Sequence, residues 1–121
     1  MKLSEAIRLG AMLRPQTFAS FFGDDGSCAI GAASEAAGLR VGRAVDVDGL
    51  RKMWAPIWAI KAQCPVCDKR RGVASIIGHI NDDHRWTRDQ IADWVESIES
   101  EQEQEQQEQL TEQPVAAMVQ S

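Results

Sequence analysis

A chain of 121 residues, 44% of them hydrophobic, suffices for one domain, or one domain with a tail, around a modest core. The opening Met-Lys-Leu-Ser-Glu carries no hydrophobic leader, and no apolar run approaches the ~18 residues of a membrane span, so secretion and membrane insertion are not expected and a reducing, cytoplasmic setting is. The net charge of −5 conceals a division: residues 1–95 hold all thirteen Lys and Arg against eleven acids, whereas residues 96–121 carry seven glutamates and no basic side chain.

In chain order, Ser4 is placed to cap a first helix, with Glu5 favourable in its first turn and Leu3, Ile7, Leu9, Met12 and Leu13 as apolar positions. Pro15 ends it. Phe18, Phe21 and Phe22 follow as a core cluster or a staple under a short helix. Gly23-Asp24-Asp25-Gly26 reads as a solvated turn, because the alternating oxygen ligands and closing Glu of a calcium loop are absent. Ser27 is expected to cap an Ala-rich helix that stops at Gly38, and Ala29, Gly31, Ala32, Ala33 and Ala36 let another helix pack closely. Cys28 within it is a buried, inert thiol on this reading, since no spare histidine exists to activate it once a metal takes both.

Residues Leu39 to Val47 suit a short strand or an extended connection. Asp48 is expected to cap a helix through Leu50, Met53 and Trp54 that ends before Pro56. Trp54, Ile57, Trp58 and Ile60 then form an aromatic collar, read as local core.

The stretch that carries chemistry is Cys64-Pro-Val-Cys67, eleven residues, then His79-Ile-Asn-Asp-Asp-His84. Two thiolates and two imidazoles are a tetrahedral donor set for Zn²⁺, and structural sites close with four protein ligands. Pro65 suits the turn between the cysteines. The spacing is one residue short of the usual finger in the middle and otherwise within it. Both histidines of the chain and two of its three cysteines fall here, which disfavours free thiols and ordinary surface histidines. A redox Cys-x-x-Cys belongs in a βαβ unit, and none is visible.

Between the ligand pairs, Asp68-Lys-Arg-Arg71-Gly72 is a basic turn and Val73 to His79 looks helical, with Ile76, Ile77 and Ile80 as its apolar stripe. His79 and His84 lie more than one helical turn apart, so the helix should loosen around Asn81-Asp82-Asp83 for both to reach one metal. Asp82 or Asp83 is placed to hydrogen-bond the far nitrogen of a ligating histidine, or else to cap that break. Thr87-Arg-Asp-Gln90 is a capping box opening a last helix, with Trp86 positioned to staple onto Ile91. Ile91, Trp94, Val95 and Ile98 make its apolar face, with Arg88, Asp93 and Glu96 directed away. From Glu99 to Gln109 the chain is nearly all Glu and Gln, so it should be disordered or a frayed helical extension, and Val115 to Val119 add a short apolar anchor.

The fold class expected is mainly α with little β: a small helical domain built around a Cys2His2 finger-like unit, with a disordered acidic tail. It divides into an N-terminal helical segment (1–60), the zinc-binding unit with its amphipathic helix (61–98) and the tail (99–121). The block from Cys64 through Ile-Gly-His-Ile-Asn-Asp-Asp-His-Arg-Trp-Thr-Arg-Asp-Gln-Ile-Ala-Asp-Trp-Val95 resembles a motif in small proteins of phages, prophages and their bacterial hosts. Leu3-Ser-Glu-Ala-Ile-Arg-Leu-Gly10 and Gly26-Ser-Cys-Ala-Ile-Gly-Ala-Ala33 belong to the same pattern, which covers most of residues 1–98. The resemblance implies a phage or bacterial cytoplasmic origin and says little about activity.

Two functions remain in view. One is a non-catalytic, regulatory or adaptor protein whose zinc site shapes a surface for a host or phage protein. The other is a DNA-binding regulator. Taking His79 as helix position seven of a finger puts Gly72, Ser75 and Gly78 at the base-reading positions, where they make almost no bidentate base contacts. Lys69, Arg70 and Arg71 can touch phosphates, but three charges support only weak, salt-sensitive binding. An enzyme is the least expected class, because a closed four-ligand site leaves no position for water or substrate.

Overall fold

The computed structural model describes the backbone of residues 1–120 and the side chains of residues 1–107. Its helices are α1 (Leu3–Ala11), α2 (Ala29–Ala36), α3 (Val47–Met53), α4 (Ala55–Trp58), α5 (Val73–Asp82) and α6 (Arg88–Gln120). The strands β1 (Arg40–Val41), β2 (Ala44–Val45), β3 (Lys61–Gln63) and β4 (Arg70–Gly72) form two antiparallel hairpins, β1–β2 and β3–β4. The chain is therefore mainly α with little β. No described helix is long and apolar enough to cross a membrane.

Helices α1 and α2 meet through their smallest residues. A Cβ on Gly10 would lie 1.8 Å from the carbonyl oxygen of Ala32, so the two backbones touch at a point only glycine allows. This contact decides which face of α1 is buried. Leu3, Ala6, Ile7 and Gly10 are inside, whereas Leu9, Met12 and Leu13, expected among the apolar positions, stay exposed.

Two serines expected as caps do other work. The Lys2 amide donates to Glu5 Oε2 at 3.3 Å at the start of α1, while Ser4 is buried and its hydroxyl donates to Glu99 Oε1 at 2.5 Å. At α2 the cap is Cys28, whose Sγ accepts from the Gly31 amide at 3.4 Å, and Ser27 is buried against Arg88. The α2 end agrees with expectation: Gly38 has φ +74°, its amide donates to Glu35 O, and the Leu39 amide donates to Ser34 O. That pair of bonds is a Schellman stop, and the positive φ is what calls for glycine.

Of the three phenylalanines only Phe22 is in the core, with Arg40 stacked 3.9 Å from its ring centroid. Phe21 is exposed, and Phe18 lies under Arg85. The Gly23–Gly26 turn forms as read, with the Gly23 amide donating to Gly26 O. Asp46, not Asp48, caps α3, accepting from the Gly49 amide at 3.0 Å. Pro56 sits in the first turn of α4, where its missing N–H costs nothing.

One apolar cluster takes members from both sides of residue 60, among them Leu3, Ile7, Phe22, Leu50, Trp54, Ile76, Ile77, Ile80, Ile91 and Val95. The capping box at α6 forms in both directions: the Thr87 amide donates to Gln90 Oε1 and the Gln90 amide donates to Thr87 Oγ1. Arg88, expected to face away, is 8% exposed and buried.

Of the two readings of the tail, the helical extension is the one found: residues 99–107 continue α6, and Glu99 is buried on Ser4. Lys2 pairs with Glu103 one turn further on, at 2.7 Å. Glu and Gln are good helix formers, and α1 supplies the partners their own sequence lacks. The side chains of the expected anchor, Val115 to Val119, lie outside the described residues.

Two outcomes follow from this packing. Gly10→Ala is expected to cost about 3 kcal/mol, the upper range for overpacking a core, read as a lower urea midpoint. Gly78→Ala, where an added Cβ meets nothing within 4 Å, is the control and should be neutral or gain up to about 1 kcal/mol of helix propensity. The second outcome concerns acid. Arg14 grips both oxygens of Glu35 at 2.8–3.0 Å and Arg40 adds a bond at 2.8 Å, which together hold that carboxyl below the usual range. A depressed folded pKa stabilises the protein above the unfolded value of about 4.3, and this stability is lost as pH falls through the folded value. Thermal melts between pH 7 and 3 should show a shallower acid loss in Glu35→Gln, which starts from lower stability at pH 7.

Candidate metal centre

The β3–β4 hairpin pairs Lys61 with Gly72, Ala62 with Arg71 and Gln63 with Arg70. The Cys64 amide extends the ladder by donating to Lys69 O at 2.8 Å, so Cys64 stands at the end of a paired strand and is only 3% exposed. The chain then turns through Pro65 and Val66, whose amide donates to Cys64 Sγ at 3.4 Å, and reaches Cys67.

Helix α5 starts directly after β4, its first amide (Val73) donating to Ile60 O at 2.8 Å. Ile76, Ile77 and Ile80 are fully buried and fix the helix rotation, which leaves His79 on the hairpin side. The helix ends at Asp82, and Arg85 takes φ +56°, a left-handed conformation uncommon outside glycine. The Trp86 amide then donates back to Ile80 O at 3.0 Å. The break thus falls at 83–85, later than the Asn81-Asp82-Asp83 expected, since Asn81 and Asp82 stay helical, and His84 stands beside His79.

His84 Nε2 lies 3.1 Å from His79 Nε2, and Cys67 Sγ lies 3.3 Å from the same nitrogen. Donor atoms of Cys64, Cys67, His79 and His84 all fall within 4.8 Å of one another. For Zn–S of about 2.3 Å and Zn–N of about 2.0–2.1 Å, a tetrahedron has edges of about 3.3–3.4 Å (N to N), 3.5–3.6 Å (S to N) and 3.8 Å (S to S). The 3.1 Å and 3.3 Å separations lie close to two of those edges, and the four side chains could hold one metal ion. His79 Nδ1 is 2.7 Å from Asp83 Oδ2. A carboxylate only accepts, so Nδ1 is the donor in this bond, which leaves Nε2 as the nitrogen that would ligate a metal held with Cys67 and His84.

The two aspartates weighed for this supporting role thus separate. Asp83 orients His79, while Asp82 Oδ1 accepts from the Ala19 amide at 2.9 Å and from Asn81 Nδ2 at 2.8 Å, holding a loop. Lys69, Arg70 and Arg71 are exposed on the hairpin, beside the cluster and outside it. Cys28 is apart from the group, and burial pushes its thiol above the ordinary range.

One structural residue near the centre was missed. Asn81 is completely buried; its Oδ1 accepts from Gln16 Nε2 and the Ala29 amide, and its Nδ2 donates to Thr17 O. It ties the ligand-bearing helix to the loop before α2. The sequence places Asn81 in the stretch expected to loosen, and no local pattern marks a polar residue whose partners lie 52 to 65 positions away.

Comparisons with protein-family models, with curated proteins and with solved structures give no match. What the fold and the cluster define is a small, mainly helical protein with a Cys2His2 set able to hold one metal ion.

Titration with Co²⁺ is expected to saturate at one equivalent and to develop a thiolate-to-metal charge-transfer band. Cys64→Ser should weaken that band, and replacing Cys67 by Ser as well should abolish it. Asp83→Ala should weaken metal affinity about 10- to 100-fold while leaving the stoichiometry at one, the usual effect of removing a histidine's carboxylate partner.

Proposed function

We propose that this is a non-enzymatic zinc protein, encoded by a phage or prophage, that works in the cytoplasm as a regulator or adaptor by binding another protein. Zinc is the metal because two thiolates and two imidazoles make a borderline-soft, tetrahedral set. The ion acts in folding: it joins the tip of the β3–β4 hairpin to both sides of the α5 terminus, and such sites contribute about 10–16 kcal/mol in finger-like peptides. With four protein ligands, no position remains for a substrate, which argues against catalysis.

The observation that carries the choice of partner is the outward surface of α5. Its base-reading positions hold Gly72, Ser75 and Gly78, and Ser75, Gly78 and Asp82 line a cleft of about 510 Å³ opposite Phe21 and Arg43. A reading helix must project into the major groove with donors at its surface. This one carries no long donor side chain at those positions and has the carboxylate of Asp82 beside them.

A DNA-binding regulator stays as the second reading because Lys69, Arg70 and Arg71 form an exposed basic run. Selection of a random duplex pool with the zinc-loaded full chain separates the two. The protein-partner reading expects no sequence to be enriched and a log–log salt slope no steeper than about −2.7, from three phosphate contacts of about −0.9 each. Enrichment of one short sequence at nanomolar affinity and physiological salt would overturn it.

A further inference from the structure

Strand β3 is paired on one side only. The bonds from Val73 N–H to Ile60 O and from Cys64 N–H to Lys69 O put the hydrogen-bonded pairs of this ladder at residues 60, 62 and 64. The N–H and C=O groups of Lys61 and Gln63 therefore point away from β4. Among the described residues, no group bonds them.

Beside this free edge runs a cleft of about 420 Å³, walled by β3 and α6 and by no residue of β4. Ile60, Trp94 and Ile98 give it an apolar floor, and Glu101 and Glu105, one helical turn apart, stand at one end. Backbone donors and acceptors along one wall, apolar side chains below and two carboxylates at the end are complementary to an extended chain bearing a basic residue.

We propose that this cleft binds an extended segment of the partner protein, which adds as a third strand along Lys61–Gln63. An apolar side chain of that segment sits on Trp94 and Ile98, and a Lys or Arg faces Glu101 and Glu105. The inference rests on the protein-partner reading above and specifies the partner's chemistry. Edge-to-edge pairing of β3 with the β3 of a second copy does not fit, because each edge opens into a cleft walled on its far side by its own α6. A helix does not fit either, since it has no free backbone groups to offer the edge. An edge lysine such as Lys61 usually guards a strand against indiscriminate pairing. Here the glutamates of α6 offset that charge for a basic segment and leave it effective against an acidic one.

The test selects a random twelve-residue peptide library on the zinc-loaded full chain and titrates the enriched peptides. The expected peptides alternate apolar residues with Lys or Arg, and their binding slows hydrogen exchange at the Lys61 and Gln63 amides. Gln63→Pro deletes one outward N–H and no bond to β4, and should weaken binding at least tenfold. The double change Glu101→Lys with Glu105→Lys should do the same and turn the selection toward acidic peptides. Zinc content of each variant checks that the centre is intact, and the charge-reversed protein decides the matter if Gln63→Pro loses metal. No enriched peptide, or peptides indifferent to the charge reversal that leave both amides unprotected, overturns the proposal. Peptides of the latter kind would keep the protein-partner reading and move its surface elsewhere, whereas a selected nanomolar DNA site would remove that reading itself.

Discussion

The buried guanidinium of Arg88 is the constraint on which the arrangement of helices turns. A charge taken out of water must be met by acceptors, and an arginine cannot escape by losing its proton. Arg88 donates to Arg14 O at 2.6 Å, Ser27 Oγ at 3.0 Å, Ser27 O at 3.3 Å and Ala11 O at 3.4 Å. Ala11 closes the last turn of α1, where helix geometry leaves oxygens without partners and favours a cation, and Arg14 lies three residues beyond it. One side chain thus serves the end of α1, the residue before the cap of α2 and the first turn of α6. Burial lowers its pKa from the ordinary value, the expected cost of desolvation, but the group remains charged.

The metal centre is linked to that anchor by a short piece of chain. His84 and Arg88 are separated by Arg85, Trp86 and Thr87: one residue in the left-handed region, one amide bonded back to α5 and one capping hydroxyl. With so few free torsions between them, the position of the cluster and the start of α6 are set together. Asn81 adds a second link, from the ligand-bearing helix to Gln16, Thr17 and Ala29. A cation at the cluster would therefore brace the N-terminal half as well as the hairpin, a wider role than in an isolated finger.

Electrostatics follow the same logic of local satisfaction. Glu35 is shared by Arg14 and Arg40, and Arg8 bridges Asp93 and Glu96 across α1 and α6. The exposed members of this set contribute little to stability individually. Their effect is to orient α6 along α1, so that Glu99 meets Ser4 and Glu103 meets Lys2. Beyond those contacts the acidic side of the helix faces the free edge of β3.

What the sequence determined by itself is what depends on residues a few positions apart. The Cys-x2-Cys and His-x4-His spacings marked the four side chains that converge; Thr87 and Gln90 marked a capping box; Gly38 marked a Schellman stop. Each is a bond or turn closed within about five residues, so composition at fixed offsets suffices to see it. Tertiary structure decided everything that depends on a partner far along the chain. Ser4 and Ser27 had the right chemistry for caps and were instead taken by Glu99 and Arg88, 95 and 61 residues away. Leu9, Met12 and Leu13 lost the core to Ala6 and Gly10, because α2 approaches α1 where the side chains are smallest. The Glu/Gln segment became helix from residue 99 because α1 supplied its contacts. Burial and long-range hydrogen bonding are properties of the surface an element meets, and that surface is not written in the element's own residues.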